Sequence, residues 1–229
     1  MRLGLSNRIK STLSGGWLPT DEASLLAWYK LTPPSGTPTM TFIWEDSSGN
    51  DYHMKQATTA NMPNKDATGI VTFDGVDDFL ALDSGHITIA NDAAFLIAFR
   101  VHPTDTNIIV LGETGSGTEM VKFLNSDTIR IKPGGSNADY DLSSGNTQDD
   151  AYWVLSREAG AADLTTVLKD GSQVDATIAA PGEFNISQIG RRTHGSQRND
   201  YQGEIYEIMI FNETNADLIA NVTARLASL

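Results

Sequence analysis

The segment AAFLIAFRVHP, residues 93–103, alternates so that Phe95, Ile97, Phe99 and Val101 fall on one side of an extended chain. A period of two buries one face of a strand; the same spacing would scatter these side chains around a helix. Similar short runs recur: SLLAWYKL (24–31), TMTFIWE (39–45), GIVTFDG (69–75), DFLALD (78–83), AYWVLSRE (151–158), LTTVLKDGSQVDATI (164–178) and GEIYEIMIF (203–211). NIIVLGE, EMVKFLN and TIRIKPG follow one another between 107 and 134, with Gly, Ser and Asn between them. KDGS at 169–172 is a hairpin turn with Asp-Gly at its centre. Turn signals this close, between strands this short, predict an all-β sandwich or barrel. A chain of 229 residues fits one such domain and can bury a core without staples. It has no cysteine, which excludes disulfides, thiolate chemistry and Cys-based zinc sites.

Only the tail reads as a helix. In NETNADLIANVTARLASL, Thr214 or Asn215 caps a segment spanning 215–228, where Leu218, Val222, Leu226 and Leu229 recur at helical spacing and Ile219 widens the stripe. Such a helix lies outside a sheet or packs on a partner. The opening is different again. Arg2, Arg8 and Lys10 are its only charged side chains before Asp21, and its apolar residues are Leu3, Leu5, Ile9 and Leu13. SGGWLP, around Trp17, then breaks any helix. One reading is a frayed terminus. The sharper one is a docking arm over 1–20, in which these residues grip a neighbouring subunit. The body then runs from 21 to 229.

The net charge is −13 and the pI about 4.5. That balance opposes phosphate backbones, so no nucleic-acid partner is expected. No stretch approaches the ~20 apolar residues of a membrane span, and the opening lacks the apolar core of a secretory signal. The expectation is a chain made and folded in a cytoplasm, with no membrane partner.

VTFDGVDDFLAL, residues 71–82, gathers Asp74, Asp77 and Asp78 around Gly75. Asp and Gly here are turn formers, so the cluster needs no metal. Calcium is the cofactor these oxygens would suit if any were bound; otherwise none is expected. VLGETGSGTE (110–119) imitates a phosphate loop but has Thr118 and Glu119 where Lys and Ser/Thr belong. The four histidines, His53, His86, His102 and His194, lack metal spacing, and no G-x-S-x-G elbow occurs. A tryptophan ring can stack on the C–H face of a sugar; Trp28 and Trp153 lie in strands and read as core, whereas Trp17 and Trp44 are less constrained. RRTHGSQRNDY (191–201) is a polar loop, solvated or able to contact an acidic sugar or a subunit through Arg191, Arg192, His194, Arg198, Asn199 and Tyr201.

Four segments together resemble the LamG-like, concanavalin A-like jelly-roll domains: LLAWYKL with DSSGN, VTFDGVDDFLAL, AYWVLSREAGAADLTTVLKDGSQV, and the closing IGRRTHGSQRNDYQGEIYEIMIFNETNADLIANVTARL. They span roughly 24–229. The resemblance implies two antiparallel sheets packed face to face. It leaves function open, because this fold hosts lectins, glycosidases, adhesion modules and structural domains. The glycosidases of the fold carry Glu-x-Asp-x-x-Glu, and no Glu here has Asp two residues later. Glu204 and Glu207 are spaced to fall on opposite faces of a strand. The opening MRLGLSNRIKSTLSGGWLP is similar to the starts of structural proteins of tailed bacteriophages. That likeness implies a non-enzymatic virion component, most of all a capsid decoration protein bound to the major capsid protein as a homo-oligomer or symmetric array. The alternative is a carbohydrate-binding adhesion module that recognises host glycans.

Overall fold

A computed structural model describes residues 16–33, 41–115, 120–160, 162–193 and 199–229. The proposed arm residues Arg2, Leu3, Leu5, Arg8, Ile9, Lys10 and Leu13 therefore lie outside the described residues, as do His194 and Arg198.

The described chain forms strands β1 (Leu25–Tyr29), β2 (Phe42–Trp44), β3 (Met54–Gln56), β4 (Asn64–Lys65), β5 (Val71–Asp74), β6 (Leu80–Ala81), β7 (Ile87–Ile89), β8 (Phe95–Pro103), β9 (Ile108–Gly112) and β10 (Met120–Phe123). These continue with β11 (Thr128–Lys132), β12 (Ala138–Asp141), β13 (Ala151–Arg157), β14 (Leu164–Lys169), β15 (Ser172–Gln173), β16 (Ile178–Ala179), β17 (Phe184–Ile186), β18 (Gln188–Ile189) and β19 (Gln202–Phe211). Helix α1 (Ala216–Ala227) closes the chain.

Two large antiparallel sheets result. The first runs β15-β14-β13-β8-β19-β5-β4, with β1 also on β19 and β16 on β14. The second runs β12-β11-β10-β9-β18-β6-β3-β2. Between them lies one apolar core that contains Phe95, Ile97, Phe99, Val101, Val121, Phe123, Ile129, Ile131 and Trp153. The alternation at 93–103 is borne out: those four β8 residues face this core, while Leu96 and Ala98 face the other way. The molecule is a β-sandwich, one of the two architectures that the strand pattern predicts.

The sandwich has a third layer. Helix α1 buries Leu218, Val222 and Leu226 against Leu25, Trp28, Leu96, Ala98, Val154, Met209 and Phe211 on the outer face of the first sheet. Asn215 caps it, its Oδ1 accepting from the Leu218 amide at 2.9 Å. The apolar stripe is thus spent within the chain, and the helix offers no apolar face to a partner. At ~1.5–3 kcal/mol per buried aliphatic side chain, it is firmly seated. Leu229, placed in the stripe by its spacing, remains partly exposed.

Glu207 fastens the same layer. It is fully buried, accepts from Trp28 Nε1 at 2.7 Å and pairs with Arg225 of α1. The sequence spacing predicts opposite faces for Glu204 and Glu207, and the structure corrects this. A β-bulge lies between Ile205 and Glu207, so that Glu204 registers with His102 and Glu207 with Arg100. One extra residue restores both acids to the same, outer face.

Candidate functional site

The acidic turn joins two sheets. β5 pairs in the first sheet and β6 in the second, so residues 75–79 carry the chain across the edge of the sandwich. Gly75 adopts φ +78° there, and a Cβ on it would meet Gln202 Cβ at 2.7 Å. Carboxylate oxygens of Asp74, Asp77 and Asp78 lie within 4.8 Å of one another, close enough to share a cation. Two of the three are already occupied. Asp74 Oδ1 accepts from the amides of Val76 at 2.8 Å and Asp77 at 3.3 Å, and Asp78 Oδ2 accepts from the Asp74 amide at 2.9 Å. The aspartates and backbone satisfy each other, as the turn reading expects. Burial raises the Asp78 carboxyl to about 6, helped by the charges of Asp74 and Asp77.

The loop after β18 behaves differently from one residue to the next. Tyr201 is fully buried, stacks edge-on against Phe73 and donates its hydroxyl to Glu204 O at 3.1 Å. It is a core residue and presents nothing to a ligand. Arg191 is also turned inward: it pairs with Asp200 and lies 4.2 Å over the Phe79 ring. Asn199 is half-buried, and its carbonyl accepts from the Ile109 amide at 3.0 Å. Arg192 alone, of the four described loop residues singled out by sequence, reaches the outer face of the second sheet. Its Nη1 lies 3.5 Å from Met120 Sδ. The loop passes so near β9 that a Cβ on Gly112 would come within 2.5 Å of Arg191 O.

On that outer face the strand register assembles further cations. Val121 and Phe123 of β10 and Ile129 and Ile131 of β11 point into the core. Lys122, Arg130 and Lys132 therefore point out. Lys122 stands directly opposite Arg130, and Met120 opposite Lys132. Asp139 answers Arg130 alone, in a bidentate pair at 2.6 and 2.7 Å. Lys122 is only 6% exposed and has no acceptor among the described residues. Burial pulls its ammonium down to about 8, and the charges of Arg192 and Arg130 add to the effect. Sequence reading missed Lys122, Arg130 and Lys132; the one available signal was the alternation Val-Lys-Phe and Ile-Arg-Ile-Lys, which aims every cation to one side.

Sugar stacking on tryptophan finds little room. Trp28, Trp44 and Trp153 are buried, and Trp17 is half-buried, packing beside the α1 cluster with Nε1 donating to Glu22 at 2.8 Å. Trp17, assigned to a docking arm, thus docks on its own body. A shallow recess at one end of the sandwich is lined by Ser143, Ser144, Lys169, Asp170, Ser172 and Gln173. A second buried acid, Asp163, faces Asp92 near Arg157; burial first, then Asp92, raises its carboxyl. Arg157 itself is fully buried and donates to the carbonyls of Ala90, Ala93, Ala180 and Gly182.

No protein-family model and no curated protein sequence matches this chain. Solved structures do. The botulinum neurotoxin serotype D binding domain superposes with a TM-score of 0.57 at 11% identity, over 90% of this chain and 51% of its own. The binding domain of Paraclostridial Mosquitocidal Protein 1 gives 0.56 at 11%, over 92% and 53%. Trypanosoma rangeli sialidase, with the inhibitor DANA, gives 0.53 at 15%, over 93% and 35%. The likeness is one of fold. The chain spans about half the length of the toxin binding domains and about a third of the sialidase.

Proposed function

We propose that this chain is a non-catalytic attachment module that binds carbohydrate on the outer face of its second sheet. The observation that carries the reading is the division of the two sheet faces. Helix α1 covers the part of the first sheet's outer face formed by Leu96, Ala98, Val154, Met209 and Phe211. The outer face of the second gathers Lys122, Arg130, Lys132 and Arg192 on a chain of net charge −13. Cations concentrated on one face of an acidic molecule steer an anionic ligand to that face. The fold likeness agrees, since one of the similar toxin binding domains was solved in complex with SialylT.

A hydrolytic role has weaker support. Although the bulge in β19 brings Glu204 and Glu207 to one face, Glu207 is committed to Trp28 and Arg225 and is shut off from solvent. The helix spends its apolar stripe on its own sheet and lends no apolar surface to capsid decoration, so that reading stands on the opening segment. Display in many copies would let weak sugar contacts add by avidity in either setting.

A glycan array probed with the full chain at physiological salt, with and without calcium, tests the reading. Binding to a defined set of glycans is expected. A blank array under both conditions would overturn it.

A further inference from the structure

We infer that Lys122, Arg130 and Arg192 form a seat for a single oxyanion, the carboxylate or sulfate of an acidic sugar. The inference rests on the glycan-binding reading and names its ligand class. In register, Ile109, Lys122, Arg130 and Asp139 make one cross-strand row over β9, β10, β11 and β12. Like charges directly opposite across an antiparallel pair oppose folding. Asp139 neutralises Arg130. Lys122 gains no such neighbour among the described residues, despite being nine-tenths buried. Arg192 adds a further cation from the loop, and its guanidinium is pulled below its ordinary value by burial and by Arg130.

A methionine or leucine would fill the place of Lys122 without the penalty of an uncompensated buried charge. An incoming oxyanion removes that penalty, and an ammonium beside guanidinium groups is a donor set suited to carboxylate or sulfate. The surroundings select for size. Electrostatic attraction fades over about 8 Å at physiological salt, so a long polyanion would meet the acidic remainder of the surface. A single charged sugar would not.

The test titrates the full chain with sialylated, uronate-bearing, sulfated and neutral oligosaccharides at pH 7, alongside Lys122→Met and Lys132→Met. Lys122→Met should weaken the acidic ligands by about tenfold or more while its Tm holds or rises. Lys132→Met, at a half-buried neighbouring position, should weaken them by about two- to threefold. The acidic arm that responds names the oxyanion. Glycan binding that survives Lys122→Met unchanged would overturn the seat and leave the glycan reading standing. A marked fall in Tm would make Lys122 a structural residue and likewise overturn it. Failure of every oligosaccharide to bind would overturn both.

Discussion

Asp74 and Asp78 share one turn, yet their proton affinities move in opposite directions. Burial pulls Asp74 up, but amide hydrogen bonds outweigh it and hold the carboxyl below its usual range. Asp78 has fewer such bonds and more burial, which raises it to about 6. A raised carboxyl pKa in the folded state carries a definite sign. Below about pH 4 both folded and unfolded chains keep the proton, and no penalty arises. Between about 4 and 6 the unfolded chain ionises freely while the folded one resists, so stability falls as pH rises. Above 6 both are ionised and the loss stays constant. Asp78→Asn keeps a side-chain oxygen for the Asp74 amide and cannot ionise. The stability of wild type relative to Asp78→Asn should therefore drop by ~1–3 kcal/mol from pH 4 to 6, then level off. Denaturant titrations at each pH check this; a flat difference would refute the burial of Asp78.

Among the elements, β8 and α1 were the most legible. Four apolar residues at period two, and a capped stripe at helical spacing, each specify one face, and the structure uses both except for Leu229, which lies past the helix and stays exposed. The core role of Trp28 and Trp153 followed for the same reason. Shorter pieces were not legible. β6, β15 and β18 have two residues each, and no periodicity can be read over so few. The bulge in β19 was hidden too, because it depends on what lies across the strand rather than on Tyr206 itself. In the 191–201 loop, residue type gave no clue to direction. Arg191 and Arg192 are adjacent and identical, yet one fills a gap beside Phe79 and Asp200 while the other crosses the second sheet. The helical layer yields a further prediction. Val222 is fully buried among apolar neighbours of α1 and the first sheet. Val222→Asp should destabilise by about 3 kcal/mol or more, and Tm should fall sharply. Near-normal Tm would mean that α1 is not held on the sheet in solution.

Over the whole molecule, the composition excluded more than it assigned. A net charge of −13 argued against nucleic acid, and no described helix is long and apolar enough to cross a membrane. The location of four cations on one outer sheet face could not be read from those totals, because it arises from the pairing of β9 to β12 and the return of a distant loop. The layers divide the molecule: α1 packs on part of the outer face of the first sheet, a core of aromatic and branched side chains fixes both sheets, and the outer face of the second sheet carries the proposed recognition site. NMR chemical-shift mapping with a saturating acidic oligosaccharide tests this most directly. Shifts concentrated at Ile109, Met120–Phe123, Thr128–Lys132 and Arg192 are predicted. Shifts confined instead to the Asp74–Asp78 turn, or to the recess between 142–145 and 169–174, would contradict it.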